Sequence, residues 1–110
     1  MKIRTPESAV LRACLHYLSL RGIEHFRFNS GAAMLPGRGG KLQPVRFGAK
    51  GAPDILGVLP GGRMVAVECK ASDGKLRPEQ ELFLERLRAA GALCIVARSV
   101  DDLVQGLEAA

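Results

Sequence analysis

The chain has 110 residues, 47% hydrophobic and 25% charged, with a formal net charge of +5, a balance that fits one domain (1–110) with a single modest core. No apolar run is long enough to cross a membrane, and the first residues lack the basic-then-apolar pattern of a secretory leader, so a soluble cytoplasmic protein without a membrane partner is expected. Cys14, Cys69 and Cys94 are widely spaced in apolar sequence; they read as reduced core residues and exclude a zinc-ligand spacing.

The first element is predicted to be a helix. Thr5 is its expected N-cap, Pro6 suits the first helical position, and Glu7 complements the positive N-terminal end. Val10, Cys14 and Tyr17 form an apolar stripe with Leu11, Leu15 and Leu18 beside it; Arg12, His16 and Ser19 form a polar strip, and Arg21-Gly22 ends the helix. The apolar face is wide, which suggests cover from a sheet and from a second subunit. A strand is expected at 23–29, and Asn29 opens from its end into a long connection.

That connection, about 30–53, carries glycine at 31, 37, 39, 40, 48 and 51, and Arg38, Lys41, Arg46 and Lys50 with no acidic residue. It reads as a basic loop with one short strand at 43–47. It holds no phosphate-loop motif, so no nucleotide cofactor is expected. The charge asymmetry extends further. Residues 1–53 carry nine Lys/Arg against two acidic residues, +7; residues 54–110 carry seven against nine, −2. A basic half joined to a carboxylate-bearing half suits an anionic polymer brought to a metal site.

Two strand-like runs follow, 54–59 and 64–70, joined by Pro60-Gly61-Gly62, a hairpin signal. Strand alternation puts Glu68 and Lys70 on one face and Val65, Val67 and Cys69 on the other. Next comes a helix opening near Pro78, with Leu76, Gln80, Phe83, Leu84 and Leu87 on one face and Gly91 as its stop. Gln80 therefore turns inward, and Lys70 or a water held by it is the expected partner. A buried strand at 93–97, parallel to 64–70 by its helical crossover, and a helix at 100–108 capped by Ser99 complete the chain. The order is helix-strand-strand-strand-helix-strand-helix, an α/β fold with a mixed four-stranded sheet flanked by helices.

The chemistry gathers in the hairpin. Pairing of its strands brings Asp54 beside Glu68, with Lys70 two residues on. Two carboxylates a few ångströms apart share a proton or a cation. Mg²⁺ takes one or two carboxylates and keeps waters and phosphate oxygens, and the Cys69 backbone carbonyl is a further candidate oxygen ligand. Lys70 is placed to hold a water and to offset charge on a phosphate. A solvated Glu–Lys pair at a strand end is the plainer alternative.

Gly51-x-Pro53-Asp54, then Glu68-x-Lys70 on the next strand, Gln80 in the following helix and Glu7 in the first, resembles the PD-(D/E)xK nuclease superfamily and within it the VRR-NUC domains, the virus-type replication–repair nucleases. The resemblance implies a restriction-endonuclease-like core. It also implies Asp54 and Glu68 as ligands of Mg²⁺ or Mn²⁺, Lys70 as the aid to an attacking water, and Glu7 and Gln80 as further catalytic residues. Glu7 is equally explained by the helix dipole. The implied activity is DNA phosphodiester hydrolysis, structure-selective on branched or four-way-junction DNA, by a homodimer of phage or bacterial origin. Asn29, Arg38, Lys41, Arg46 and Lys50 are the candidate DNA contacts. A non-catalytic nucleic-acid-binding module and a metal-dependent hydrolase of small phosphate esters are the alternatives.

Overall fold

The structure, a computed structural model, describes residues 3–28 and 31–110, with the backbone alone at 31–33 and at 46–47. Helix α1 (Glu7–Leu20) leads to β1 (Glu24–Arg27), and β2 (Gly31–Pro36) and β3 (Leu42–Phe47) follow with a 3₁₀ turn at Arg38–Gly40 between them. Then come β4 (Ile55–Val58), β5 (Met64–Cys69), α2 (Pro78–Ala89), β6 (Leu93–Ala97) and α3 (Val100–Glu108).

The main sheet runs β1-β4-β5-β6. Its first three strands are antiparallel neighbours, and β6 is parallel to β5, as a helical crossover requires. This is the expected mixed α/β sheet with its flanking helices. On one face Ile55, Val65, Val67, Cys69, Ile95 and Ala97 join Val10, Cys14 and Leu18 of α1 and Leu103 of α3 in one core. Burying these side chains is the main driving force of the fold, at about 25 cal/mol per Å² of apolar surface. On the other face α2 lies over β6, and Phe26, Val58 and Met64 stay exposed towards the β1 edge.

Three expectations change. Pro6, not Thr5, is the N-cap of α1, with no side-chain cap bond; the Thr5 backbone is instead paired with Ser72. Residues 65–70 are buried throughout, because the end of β5 is covered on both faces, so Glu68 and Lys70 are not the solvated pair of the plainer alternative. The wide apolar face of α1 is packed in the protein's own core, with Leu11, Leu15 and Tyr17 partly buried against it.

The fourth change is the largest. The basic connection is a β-hairpin, in register from Gly31↔Phe47 to Pro36↔Leu42. Its strands pair with each other and form a sheet of their own. The radius of gyration is 15.7 Å, against about 13 Å for a compact chain of this length, so the protein is extended, 53 Å along its longest axis.

Candidate active site

The β4–β5 turn sets the site. Gly61 and Gly62 take φ of +97° and +98°, which glycine alone adopts cheaply, and the Gly62 N–H donates to the Leu59 carbonyl at 2.9 Å. This turn fixes Ile55 opposite Val67, so Asp54 stands across from Glu68. Two bonds hold Asp54 there. Its Oδ2 accepts the Cys69 N–H at 2.8 Å, and its carbonyl accepts the Phe28 N–H at 2.7 Å.

Glu68, Lys70 and Gln80 are 2%, 6% and 7% exposed, and they are the buried polar or charged residues among those described. Gln80 sits in the first turn of α2. Its Oε1 accepts the Arg77 N–H at 2.9 Å and its Nε2 donates to Glu68 Oε1 at 3.1 Å. The inward orientation is as expected, but the partner is Glu68 rather than Lys70. Gln80 thus closes the N-terminus of its helix and orients a carboxylate with one side chain.

Glu7 reaches the site from the far end of the chain, with its Oε1 4.0 Å from Lys70 Nζ. A set of contacts brings it there. The Thr5 N–H donates to Ser72 Oγ at 2.9 Å, the Ser72 N–H donates to the Thr5 carbonyl at 3.0 Å, and Arg4 pairs with Asp73 at 2.9 Å. The turn after Lys70 is held in place by Arg98, whose Nε donates to the Gly74 carbonyl at 2.8 Å. The N-terminus of α1 is therefore fastened to the turn that follows the lysine. Of these positions only Thr5 stands out in the sequence, and there as a helix cap; Ser72-Asp73-Gly74 reads as an ordinary polar turn.

Gly51 is a further positioning residue. Its φ is +82°, and a Cβ there would stand 2.5 Å from the Glu79 carbonyl oxygen. The backbone leading to Asp54 thus lies directly on the turn of α2 that carries Gln80. The glycine of the Gly51-x-Pro53-Asp54 motif is explained by this contact.

The electrostatics favour a cation. Burial, then the Asp54 charge, pushes the Glu68 carboxyl up to about 8 against the opposing pull of Lys70. Glu68 Oε2 is buried with no hydrogen-bond partner, an arrangement that costs about 1–3 kcal/mol or more if nothing fills it. An orphaned carboxylate oxygen beside a second carboxylate fits a hard divalent ion. No group of three or more His, Cys, Asp or Glu side chains suited to a metal occurs among the described residues; an ion here would have two carboxylates, backbone oxygen and water as donors, a set of the kind that Mg²⁺ takes.

The expected DNA contacts fall elsewhere. Arg38 begins the 3₁₀ turn at the tip of the β2–β3 hairpin, Lys41 follows that turn, and Lys50 lies just before Gly51; all three are exposed. Asn29 and the Arg46 side chain lie outside the described residues.

The VRR-NUC domain model matches residues 30–101. The chain belongs to the VRR-NUC family of nuclease domains. The VRR-NUC match contains Asp54, Glu68, Lys70 and Gln80 with the hairpin, and begins after Glu7. The chain is similar to "Putative nuclease p44" of Acyrthosiphon pisum secondary endosymbiont phage 1, 44% identical over 54 residues, 49% of this chain and 58% of that relative. The chain thus covers under two thirds of the phage protein's length. No solved structure matches it.

Proposed function

We propose that this VRR-NUC protein is a divalent-metal-dependent nuclease that hydrolyses DNA phosphodiester bonds at the Asp54–Glu68–Lys70 site. The observation that carries this reading is the buried Glu68 with its orphaned Oε2, next to Asp54 and within the reach of Gln80. A structural sheet end has no use for such a group, which raises the cost of folding.

Asp54, Glu68 and the Cys69 carbonyl would hold Mg²⁺ or Mn²⁺. Such an ion supplies charge neutralisation at the phosphate and a more acidic water. Asp54 is preset by the Cys69 N–H, and Glu68 by Gln80. Lys70, mostly buried and steadied by Glu7, orients the attacking water and offsets charge on the phosphate. The water oxygen bonds to phosphorus, the bond from phosphorus to one ester oxygen breaks, and a proton passes to that oxygen. Arg38, Lys41, Arg46 and Lys50, with Asn29, supply the electrostatic hold on the DNA backbone.

Action on branched DNA such as four-way junctions, and pairing of two copies, belong to the same proposal through the family resemblance. Val10, Cys14 and Leu18 of α1 lie in the protein's own core, which leaves the partly buried Leu11, Leu15 and Tyr17 as what that face offers a second copy.

A non-catalytic binding module has no need for Glu68 and Lys70 buried side by side, and a hydrolase of small phosphate esters has no need for a basic hairpin. Cleavage of duplex and junction DNA and of a small phosphodiester, by wild type and Glu68→Gln with Mg²⁺ or Mn²⁺, separates the three. The nuclease reading expects DNA cutting that Glu68→Gln abolishes. Equal activity of the two proteins would move the active site elsewhere.

A further inference from the structure

The β2–β3 hairpin has a composition that its own fold does not explain. Its register puts Met34, Pro36, Leu42 and Pro44 on one face and Leu35, Gln43 and Val45 on the other. An ordinary two-stranded ribbon has one apolar face laid on a core and one polar face in water. Here both faces carry mostly apolar residues, broken by Gln43 on one and, at its register position, Arg46 on the other, and Met34, Leu35, Leu42 and Val45 are 39–62% exposed. The two strands pack chiefly on each other, not on the main sheet or its helices. An isolated hairpin is marginal in water, so this one is built to be covered by something else.

Charge indicates by what. Residues 28–53 contain Arg38, Lys41, Arg46 and Lys50 and no acidic residue, so the apolar ribbon is flanked only by positive charge. A protein surface that accepts Met, Leu and Val does not call for this, whereas nucleic acid does. Its phosphates attract the basic tip, and its stacked bases are an apolar interior open at the base steps. Proteins that enter the minor groove use this combination, with Arg or Lys on the backbone and Leu, Met or Pro wedged between steps.

We propose that the hairpin is an arm that enters the minor groove of duplex DNA, with Arg38 and Lys41 on the phosphates and Leu35, Pro36 and Leu42 pressed between base pairs. This rests on the nuclease reading, and it adds that the protein unstacks and bends the duplex it holds. Grip then has two separable parts. The basic residues set the salt dependence, and the apolar side chains set the distortion.

The test uses the whole chain in EDTA and a linear duplex carrying 2-aminopurine at successive positions, with donor and acceptor dyes at the ends of a second duplex. Binding of the wild type is expected to raise 2-aminopurine fluorescence at one or two neighbouring steps and to bring the dyes closer. Leu35→Ser/Leu42→Ser is expected to abolish both signals and keep the wild-type salt slope. Arg38→Ala/Lys41→Ala is expected to lower the slope. Both substituted leucines are exposed, and an unchanged melting curve confirms that the core is intact. A wild type that binds and cuts DNA without either signal overturns the arm and leaves the nuclease reading standing. A wild type that neither binds nor cuts any DNA overturns both. Signals that survive in the leucine variant, or a change in its molar mass by light scattering, which would mark a contact between copies, also overturn the arm.

Discussion

The sheet-end site and the hairpin arm are opposites in construction. At the site every charged group is buried or fastened. Asp54 is held by two backbone bonds, Glu68 by Gln80, Glu7 by the Thr5–Ser72 pairing, and the approach to Asp54 by the fit of Gly51 against α2. In the arm, apolar side chains face water, glycine forms the tip, and the strands rely on each other. On the proposed reading, the difference separates two tasks. Bond cleavage needs groups fixed before substrate arrives, while holding a long polymer needs reach and a surface completed by that polymer.

The contrast is broken most directly at the site. Glu68→Gln and Asp54→Asn are expected to lower cleavage about 10³-fold or more and to weaken Mg²⁺ binding in a calorimetric titration. Lys70→Ala should lose hydrolysis to a similar degree yet keep the metal. Gln80→Ala, which frees Glu68 without removing it, should cost about 10–100-fold. Near-wild-type cutting by folded Lys70→Ala would refute the assignment.

In and beside the arm, neutralising Arg38, Lys41, Arg46 and Lys50 together should leave the melting temperature unchanged and flatten the salt dependence of DNA binding. The slope of log K against log salt is expected to fall by about 0.9 for each phosphate that the variant no longer neutralises. An unaltered slope would remove the arm from the interface.

Glycine substitutions sharpen the comparison further. Gly51 and Gly39 both have left-handed backbone, φ +82° and +69°, but a Cβ meets backbone only at Gly51. Gly51→Ala should destabilise by roughly 2–4 kcal/mol, strain and overpacking together, and depress cleavage with it. Gly39→Ala should leave thermal unfolding of the core unchanged. Equal melting curves for the two variants would mean that Gly51 does not position α2.

The smallest effect is in pH. In metal-free protein the Glu68 carboxyl, raised from 4.5 to about 8, binds its proton more tightly when folded than when unfolded. Its contribution to stability is therefore fully present below about 4.5 and is lost as pH rises through about 8. Wild type should lose melting temperature across that window relative to Glu68→Gln, and Mg²⁺ should reduce the loss. Parallel profiles with and without the substitution would contradict the burial of this carboxylate.

Much of the site was legible in the sequence because short-range rules act there. A Pro-Gly-Gly turn between two apolar runs sets the register that puts Asp54 across from Glu68, and helical spacing turns Gln80 inward. Which group Gln80 meets depends on how α2 lies on the sheet, and sequence spacing does not contain that. The arm was hidden for the opposite reason. Strands announce themselves by alternation, and β2 and β3 have little, with apolar residues on both faces and Pro36 and Pro44 within them. Only 43–47 resembles a strand. The Thr5–Ser72 clasp joins residues far apart in the chain, beyond the reach of any local pattern.

The bond from the Phe28 N–H to the Asp54 carbonyl also bears on the segment that it encloses. It closes the base of the 25-residue excursion from 29 to 53, and the main sheet meets the hairpin part of that segment almost as a cassette, since the two hairpin strands form a sheet of their own. Halving or doubling such an excursion changes the closure cost by only about 0.6 kcal/mol. Insertion, trimming or exchange within 31–47, short of the Gly51 contact with α2, then costs the core little. The same junction is a natural point for grafting: a foreign element placed between 31 and 47 would leave Gly51 and Asp54 on their contacts.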